Sequence, residues 1–316
     1  MAKNNETAEE GGTSTGTSTG VTRGTRISVD TSRIVVLADK GGVGKTFVAA
    51  LVWSLFEEQG RTLKIGEAER PTERKMTELL KKAGAPAPEP SVQLPSEQDL
   101  AGNPRLKASA FGPLLQAMRS TDDTLIDVAA GGTRGLLDQA EIASHGERTE
   151  GGRGMVFLVV AKAEDITSAL SAEAAAAKAR FIYPNAKVVV VITHVTHDRQ
   201  RKTNNAASVA DKLKQTASDV VLIDYNGGPL VGELYGSRNI AFHDIADMSI
   251  DEVAELLGGA GSPVDEDEAA IFLGEYLSWY FTSLRDLAGR LDLPAPVARR
   301  PGTASTRPTG AAGRAA

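Results

Sequence analysis

The feature that most constrains this chain is a glycine-rich run, K-G-G-V-G-K-T, at residues 40–46. The apolar run 34–38 precedes it and a helical pattern follows it, which predicts a strand, a tight loop and the start of a helix. Glycines allow successive backbone N–H groups to turn towards one polyphosphate, and a helix N-terminus adds a favourable dipole. The segment therefore predicts a phosphate-binding loop for a nucleoside triphosphate.

Each residue type in this loop has an expected role. Lys45 is expected to reach a β- or γ-phosphate oxygen, and Thr46 is expected to bind Mg²⁺. ATP and Mg²⁺ are therefore the expected cofactors. The backbone of the whole segment supplies the expected phosphate contacts, from Gly41, Gly42, Val43, Gly44, Lys45, Thr46 and Phe47.

The loop departs from the ordinary Walker A pattern because Asp39 stands where the first glycine is usual, and Lys40 follows as an extra lysine. In this respect it resembles the deviant loop of the ParA/MinD family of ATPases. The resemblance implies an ATP-dependent homodimer in which Lys40 reaches across the interface to the phosphates of the partner's nucleotide. Departures at other motifs favour the plasmid-stability and conjugation-associated, StbB-like branch.

Composition limits the alternatives. A hydrophobic content of 41% in 316 residues is enough for a real core, and the absence of cysteine excludes disulfides, thiolate zinc sites and iron–sulfur ligation. No apolar run approaches the roughly 20 residues that span a bilayer, and no secretory signal is evident. We therefore expect a cytoplasmic protein that does not bind membranes. With a net charge of −6, binding to DNA would need a local basic patch.

Short apolar runs alternate with helical patterns through the middle of the chain. This alternation predicts an α/β fold with a doubly wound, mostly parallel sheet. An ATPase domain is expected at 31–293, between a polar tail at 1–30 and a basic tail at 294–316. A proline-rich stretch, 83–104, is predicted to be a long loop. The predicted strands are 34–38, 62–67, 124–128, 155–161, 187–193 and 220–224.

A long helix is predicted at about 263–292, with Ser262 as its N-cap and Pro263 in its first turn. Its apolar residues recur every three or four positions, which indicates one buried stripe. Packing against the ATPase core is the favoured interpretation, and a partner or dimer contact is the alternative. The stripe consists of Phe272, Tyr276, Trp279, Tyr280, Leu284, Leu287 and Leu291.

Acidic residues follow two of the predicted strands. Asp127 ends the strand 124–128 and is the expected Walker B acid, which holds Mg²⁺ opposite Thr46. The family's form is Asp-x-Pro-x-Gly; Ala129 replaces the proline, and Gly131 matches the glycine whose N–H contacts the γ-phosphate. Glu67 and Glu69 stand where ParA-like proteins carry two aspartates, one of which orients the attacking water.

The resemblance makes Lys40, Lys45, Glu67 and Glu69 the candidate catalytic residues. Glu67 is slightly favoured over Glu69 because it ends the predicted strand. A glutamate places its carboxylate farther out than an aspartate, so hydrolysis is expected to be slow or to require a partner.

Base recognition is altered relative to the family. Thr193 and His194 occupy the place of its Asn-Lys pair, and Pro229 lies where relatives wrap the adenosine. A basic run after the fifth predicted strand could lie along phosphate backbones or form a solvated helix face. Its cations, the DNA-binding candidates, are Arg199, Arg201, Lys202, Lys212 and Lys214.

The leading hypothesis is an ATPase switch that positions plasmid or mobile-element DNA, for partition, stability or conjugative transfer, together with an adaptor protein. Two alternatives remain open. One is a nucleotide-binding scaffold of a transfer apparatus with weak turnover, docked through the C-terminal helix. The other is an ATP-dependent small-molecule ligase, although no residues mark a pocket for its substrate.

Overall fold

The computed structural model of the chain describes residues 32–70, 76, 85–163, 165–193, 213, 217, 219–223, 228–258 and 264–298. Several sequence predictions lie outside the described residues. They are the N-terminal tail, most of the C-terminal tail, the helix start at 262–263, His194, and the cations Arg199, Arg201, Lys202, Lys212 and Lys214.

The described strands form one seven-stranded sheet in which every neighbouring pair is parallel. They are β1 Arg33–Leu37, β2 Lys64–Glu69, β3 Ser91–Gln93, β4 Thr124–Val128, β5 Met155–Lys162, β6 Lys187–Thr193 and β7 Asp219–Leu222. Their order is β3-β2-β4-β1-β5-β6-β7, so the chain first builds one side of β1 and then the other.

Helices cover both faces of this sheet. They are α1 Lys45–Glu58, α2 Glu97–Gly102, α3 Pro104–Ala117, α4 Gly132–Ile142, α5 His145–Arg148, α6 Ile166–Ile182, α7 Gly228–Leu230, a π-helical segment Val231–Ser237, α8 Phe242–Ala246, α9 Ile250–Gly258 and α10 Glu266–Leu291. One core joins the sheet to α1, α8 and α10, and a second joins it to α3, α4 and α6. The predicted α/β class with a doubly wound parallel sheet is confirmed.

The central strands are nearly continuous apolar runs because helices bury both of their faces. β4 and β6 have the predicted bounds, and β1 and β5 differ from them by one residue. β2 is different: it continues to Glu69, so Glu69 and not Glu67 is its last residue. The extension follows from β3, which pairs with β2 up to the Glu69–Gln93 position.

The predicted loop at 83–104 is wrong over its described part. It contains the edge strand β3 and the helix α2, and α3 begins at Pro104. Local capping explains the two helix starts: the Ser96 side chain accepts a hydrogen bond from the Asp99 N–H, and Asn103 accepts one from the Leu106 N–H. Both are short-range signals that the proline content of the stretch obscures.

α1 is buried along its length because it lies between the sheet and the C-terminal helices. Every residue from 47 to 56 is buried, and α10 packs against this helix from outside. α10 begins later than predicted, since Asp265 is its N-cap and accepts a hydrogen bond from the Glu268 N–H at 2.7 Å. Most of its apolar stripe is buried in the core, which agrees with the favoured interpretation of that stripe.

No candidate membrane-spanning helix occurs in the part of the chain that is described. None of its helices combines the length and apolar character needed to cross a bilayer.

Candidate functional site

The glycine-rich loop lies at the carboxyl edge of the sheet, directly after β1. β1 is the strand at which the order of the sheet reverses, and ligands of open α/β sheets bind at such switch points. The loop ends at Gly44, which precedes α1 with φ 86° and ψ 21°. This left-handed conformation favours glycine, and a Cβ at Gly44 would also come within 3.3 Å of the Thr193 Oγ1 atom. The backbone can therefore turn tightly into the helix N-terminus.

Thr193, on strand β6, supports this loop. It is fully buried at the end of β6, and its hydroxyl donates a hydrogen bond to the Val43 carbonyl oxygen. Thr193 occupies the place of the family's Asn-Lys pair, and its side chain has no exposed surface in this structure. Its role in the structure is to hold the loop against β6.

Three polar side chains converge at the start of α1 and the end of β4. The Lys45 Nζ lies 3.0 Å from the Asp127 Oδ1, and the Thr46 hydroxyl donates to the Asp127 Oδ2 at 3.3 Å. Lys45 and Asp127 are both buried, so this ion pair is shielded from water. The arrangement brings together the cation predicted to bind phosphate and the two oxygen groups predicted to bind Mg²⁺.

Glu67 and Glu69 lie on the strand next to Asp127. Glu67 is in register with Asp127 across the β2–β4 pair, so the two side chains share one face of the sheet. Glu69 shares this face as well, because it lies two residues farther along the strand. Both glutamates are buried, Glu67 to 1% exposure and Glu69 to 6%. Of the two, Glu69 lies nearer to the carboxyl edge at which the loop is found.

The segment after β4 contacts the loop through Asp39. The Gly131 N–H donates to the Asp39 carbonyl oxygen at 3.0 Å, and the Arg134 N–H donates to the Asp39 Oδ1 at 3.3 Å. Gly131 has φ 74° and occupies the N-cap position of α4. Sequence reasoning identified Gly131 but did not predict that Asp39 holds it. The unusual acid at the first glycine position was the available signal.

Lys40 is bound to the start of α6. Its ammonium forms an ion pair with Asp165 and donates a hydrogen bond to the Thr167 hydroxyl at 2.9 Å. Asp165 is also the N-cap of α6, and its Oδ1 accepts from the Thr167 and Ser168 N–H groups. The hydrogen bond from Lys40 holds the pKa of Asp165 well below its ordinary value. Sequence reasoning missed Asp165, although an acid just before a helical pattern is an N-cap signal.

Two other predicted contacts lie away from the loop surface. The Phe47 side chain is buried, with its ring 5.0 Å from that of Phe242 and 5.8 Å from that of Tyr235. Only the backbone of Phe47 is therefore suited to a phosphate. Pro229 lies in the short helix α7 and is exposed. The structure does not join Pro229 to the Lys45–Asp127 group by a described contact.

Comparison with known proteins gives a distant likeness. No family model matches the sequence, and a search of curated proteins found no match. Among solved structures, the MinD cell division protein of Aquifex aeolicus is 16% identical, with 67% of this chain and 88% of that chain covered and a TM-score of 0.41. The MinC:MinD cell division protein complex of the same organism is 15% identical, with 85% of this chain and 99% of that chain covered and a TM-score of 0.43.

A plasmid partition protein from Borrelia burgdorferi is 14% identical, with 66% of this chain and 100% of that chain covered and a TM-score of 0.39. At these values the function of this chain has to be inferred from its own site.

Proposed function

We propose that this protein is an ATP-binding and ATP-hydrolysing switch that dimerises with nucleotide and positions DNA of a plasmid or other mobile element. The observation that carries the proposal is the convergence of Lys45, Thr46 and Asp127 behind a glycine loop at the topological switch point of the sheet. An arrangement of this kind suits the charge and the metal requirement of a nucleoside triphosphate.

The polyphosphate would lie on the loop, with the N-terminus of α1 directed at it. Lys45 would then exchange its bond to Asp127 for one to a phosphate oxygen. The exchange keeps the ammonium paired with an anion in both states. This pairing matters because Lys45 is buried and an unpaired buried charge is costly. Adenine is the expected base, and none of the described contacts selects it.

The residues present fit Mg²⁺. A threonine hydroxyl and a carboxylate are the hard oxygen ligands that this ion prefers, and Thr46 and Asp127 already bring such oxygens within 3.3 Å of each other. When bound, the ion would neutralise charge that develops on the phosphates. Asp127 would orient it, and Lys45 would hold the phosphate.

Hydrolysis also needs an oriented water. Glu69 is the better placed of the two glutamates because it ends β2 at the carboxyl edge of the sheet. Glu67 lies two residues earlier on the strand, beside Asp127. A buried glutamate held on a strand has little freedom to reach an attacking water, which supports slow or partner-stimulated turnover.

A homodimer is supported by the surface beside Lys40. The α6 helix, to which Lys40 is bound, exposes Ile166 and Leu170 at 66% and 59%. Leu170 lines a groove of about 500 Å³ between α4 and α6, and Asp39 of the nucleotide loop contributes to the same groove. A second copy that receives Lys40 at its own nucleotide would have to approach over this end of α6.

The proposal also includes the positioning of DNA, an adaptor protein, and a role in conjugation or partition. Its support is the basic run after β6, which lies outside the described residues. The scaffold alternative loses one of its supports, because the apolar stripe of α10 packs within this chain and is not available as a docking face.

Two lysine variants and a control test the switch. Lys45→Ala should abolish ATP·Mg²⁺ binding, whereas Lys40→Ala should leave binding intact and abolish nucleotide-dependent dimerisation. Lys107→Ala on α3, which removes the same charge, should change neither property. Nucleotide binding by calorimetry and oligomeric state by light scattering provide the two readouts. An unchanged dimer in the Lys40 variant would refute the trans role of this lysine.

A further inference from the structure

We propose that Asp39 is an internal anion that competes with the γ-phosphate for the N-terminus of α4, and that it thereby sets the preference between ATP and ADP. The inference rests on the proposed nucleotide site and deepens it. Asp39 is a positioning residue in this account: it acts on the nucleotide through α4 and through the segment that begins that helix.

The N-terminus of α4 lacks a capping side chain of its own. Its N-cap residue is Gly131 and its first residue is Gly132, and no side-chain cap bond is made from the N-cap position. Asp39 supplies the missing acceptor from the loop after β1, since its Oδ1 accepts the N–H of Arg134 at 3.3 Å. Arg134 is the third residue of the helix, which is one of the positions that an N-cap side chain usually serves.

A second hydrogen bond joins Asp39 to the start of α4. The Asp39 carbonyl oxygen accepts the Gly131 N–H at 3.0 Å, so the backbone and the side chain of one residue hold two donors at the start of α4. The loop also lies close to Ala130, the residue before Gly131, because a Cβ at Gly41 would lie 3.9 Å from the Ala130 Cβ. Asp39 therefore joins the nucleotide loop to the start of α4.

Electrostatics makes this contact sensitive to the nucleotide. A helix N-terminus carries a partial positive charge and unpaired N–H groups, which favour a nearby anion. Here a carboxylate already occupies that position, next to the loop on which the triphosphate is proposed to bind. A second anion placed there is repelled by the Asp39 carboxylate. The N–H groups that could bind it already donate to Asp39.

ATP and ADP differ in this respect. The third phosphate brings additional negative charge towards the start of α4, whereas ADP lacks that group and leaves the Asp39 contacts undisturbed. The carboxylate should therefore weaken the binding of ATP more than that of ADP. Glycine, which is usual at this position of the ordinary pattern, has no such effect.

The test compares two Asp39 variants of the full chain with the unaltered protein. Dissociation constants for ATP·Mg²⁺ and ADP·Mg²⁺ are measured by calorimetry. Asp39→Gly should tighten ATP binding about tenfold, which corresponds to about 1.4 kcal/mol, and should leave ADP binding within about twofold. Asp39→Asn keeps an oxygen acceptor for the Arg134 N–H but removes the charge, so it should give most of the same change.

A matched cap elsewhere separates this role from simple stabilisation. Asp265→Ala removes the N-cap of α10, where the carboxylate accepts the Glu268 N–H. It should lower stability and leave the ratio of ATP to ADP affinity unchanged. If Asp39→Gly fails to fold, Asp39→Asn decides the matter by the same ratio.

The outcomes distinguish the two proposals. If the unaltered protein binds both nucleotides and the Asp39 variants leave the affinity ratio within twofold, Asp39 is only a cap and the inference is overturned. If the unaltered protein binds neither nucleotide, the proposed function fails and the inference fails with it.

Discussion

Asp39 and Lys40, two adjacent residues of the glycine loop, each bind the start of a different helix. Asp39 holds α4, which follows β4, and Lys40 holds α6, which follows β5. The loop is thus connected to both neighbours of β1 in the sheet. A ligand that displaces either residue would change how the corresponding helix is held. Binding at the loop would therefore affect the surfaces of α4 and α6.

Neither contact could be predicted from the sequence. Asp39 lies 95 residues before Arg134, and Lys40 lies 125 residues before Asp165. Such pairs form only because parallel strands bring their carboxyl ends to one edge, and their geometry depends on the packing of whole elements. Lys45, Thr46 and Asp127, by contrast, follow local patterns whose position on a strand or helix fixes their direction, so their convergence was predictable.

A buried histidine provides a prediction about pH. The His145 Nε2 lies 2.7 Å from the Leu115 carbonyl oxygen, which can only accept, and the Nδ1 lies 2.9 Å from the Tyr183 hydroxyl. These bonds suit the neutral ring. Burial lowers the pKa of His145, and the charges of Arg119, Arg148 and Arg33 lower it further.

The stability that His145 contributes should be complete above its unfolded pKa of about 6.5 and should be lost as the pH falls below that value. The slope cannot exceed about 1.4 kcal/mol per pH unit for one proton. His145→Gln keeps a donor and an acceptor but no titration, so its unfolding free energy should fall less between pH 7 and pH 5. Urea unfolding at several pH values measures this, and equal slopes would contradict it.

Among the elements, predictability followed the strength of the local pattern. β4 and β6 are apolar runs with clear ends, and their predicted bounds are those of the structure. β3 was missed because its three residues, Ser-Val-Gln, are mostly polar and lie at the sheet edge. Only pairing with β2 makes this segment a strand, and pairing partners are not encoded locally.

The C-terminal helix is an integral part of the domain. Tyr276 and Leu284 are fully buried, and the Tyr276 hydroxyl donates to the Phe242 carbonyl oxygen at 2.6 Å. Leu284→Ala should therefore lower the unfolding free energy by about 2–5 kcal/mol. Ile271→Ala on the same helix alters a side chain that is 60% exposed and should change stability by no more than about 0.5 kcal/mol. Similar effects of the two variants in urea unfolding would show that α10 is not firmly packed.

On the scale of the whole molecule, charge is unevenly distributed. The segment 239–284 contains ten Asp and Glu residues and no Lys or Arg, and it forms α8, α9 and most of α10. This layer covers α1 on one face of the sheet. A polyanion such as DNA would be repelled from that layer, so any DNA-binding surface has to be sought among the cations elsewhere.

The proposed DNA binding predicts a specific dependence on salt. Replacing Arg201 and Lys202 by Ala should weaken binding of random-sequence duplex DNA in the presence of ATP·Mg²⁺. If both cations contact phosphates, the slope of log K against log salt should become shallower by about 1.8. Arg105→Ala combined with Arg285→Ala removes the same charge from α3 and α10 and should leave the slope unchanged. Equal slopes in all three proteins would place the DNA surface elsewhere.

The proposed homodimer can be tested on the surface that Lys40 borders. Leu170 on α6 is 59% exposed beside the groove that Asp39 also lines, whereas Ile271 on α10 is 60% exposed in the acidic layer. A carboxylate buried at an interface without a partner costs far more than one left in water. Leu170→Glu should therefore prevent ATP-dependent dimerisation, measured by light scattering, while ATP binding by calorimetry stays unchanged. Ile271→Glu introduces the same charge at equal exposure and should still dimerise. A Leu170 variant that dimerises normally would mean that this surface of α6 is not part of the dimer interface, and that Lys40 reaches its partner over a different face.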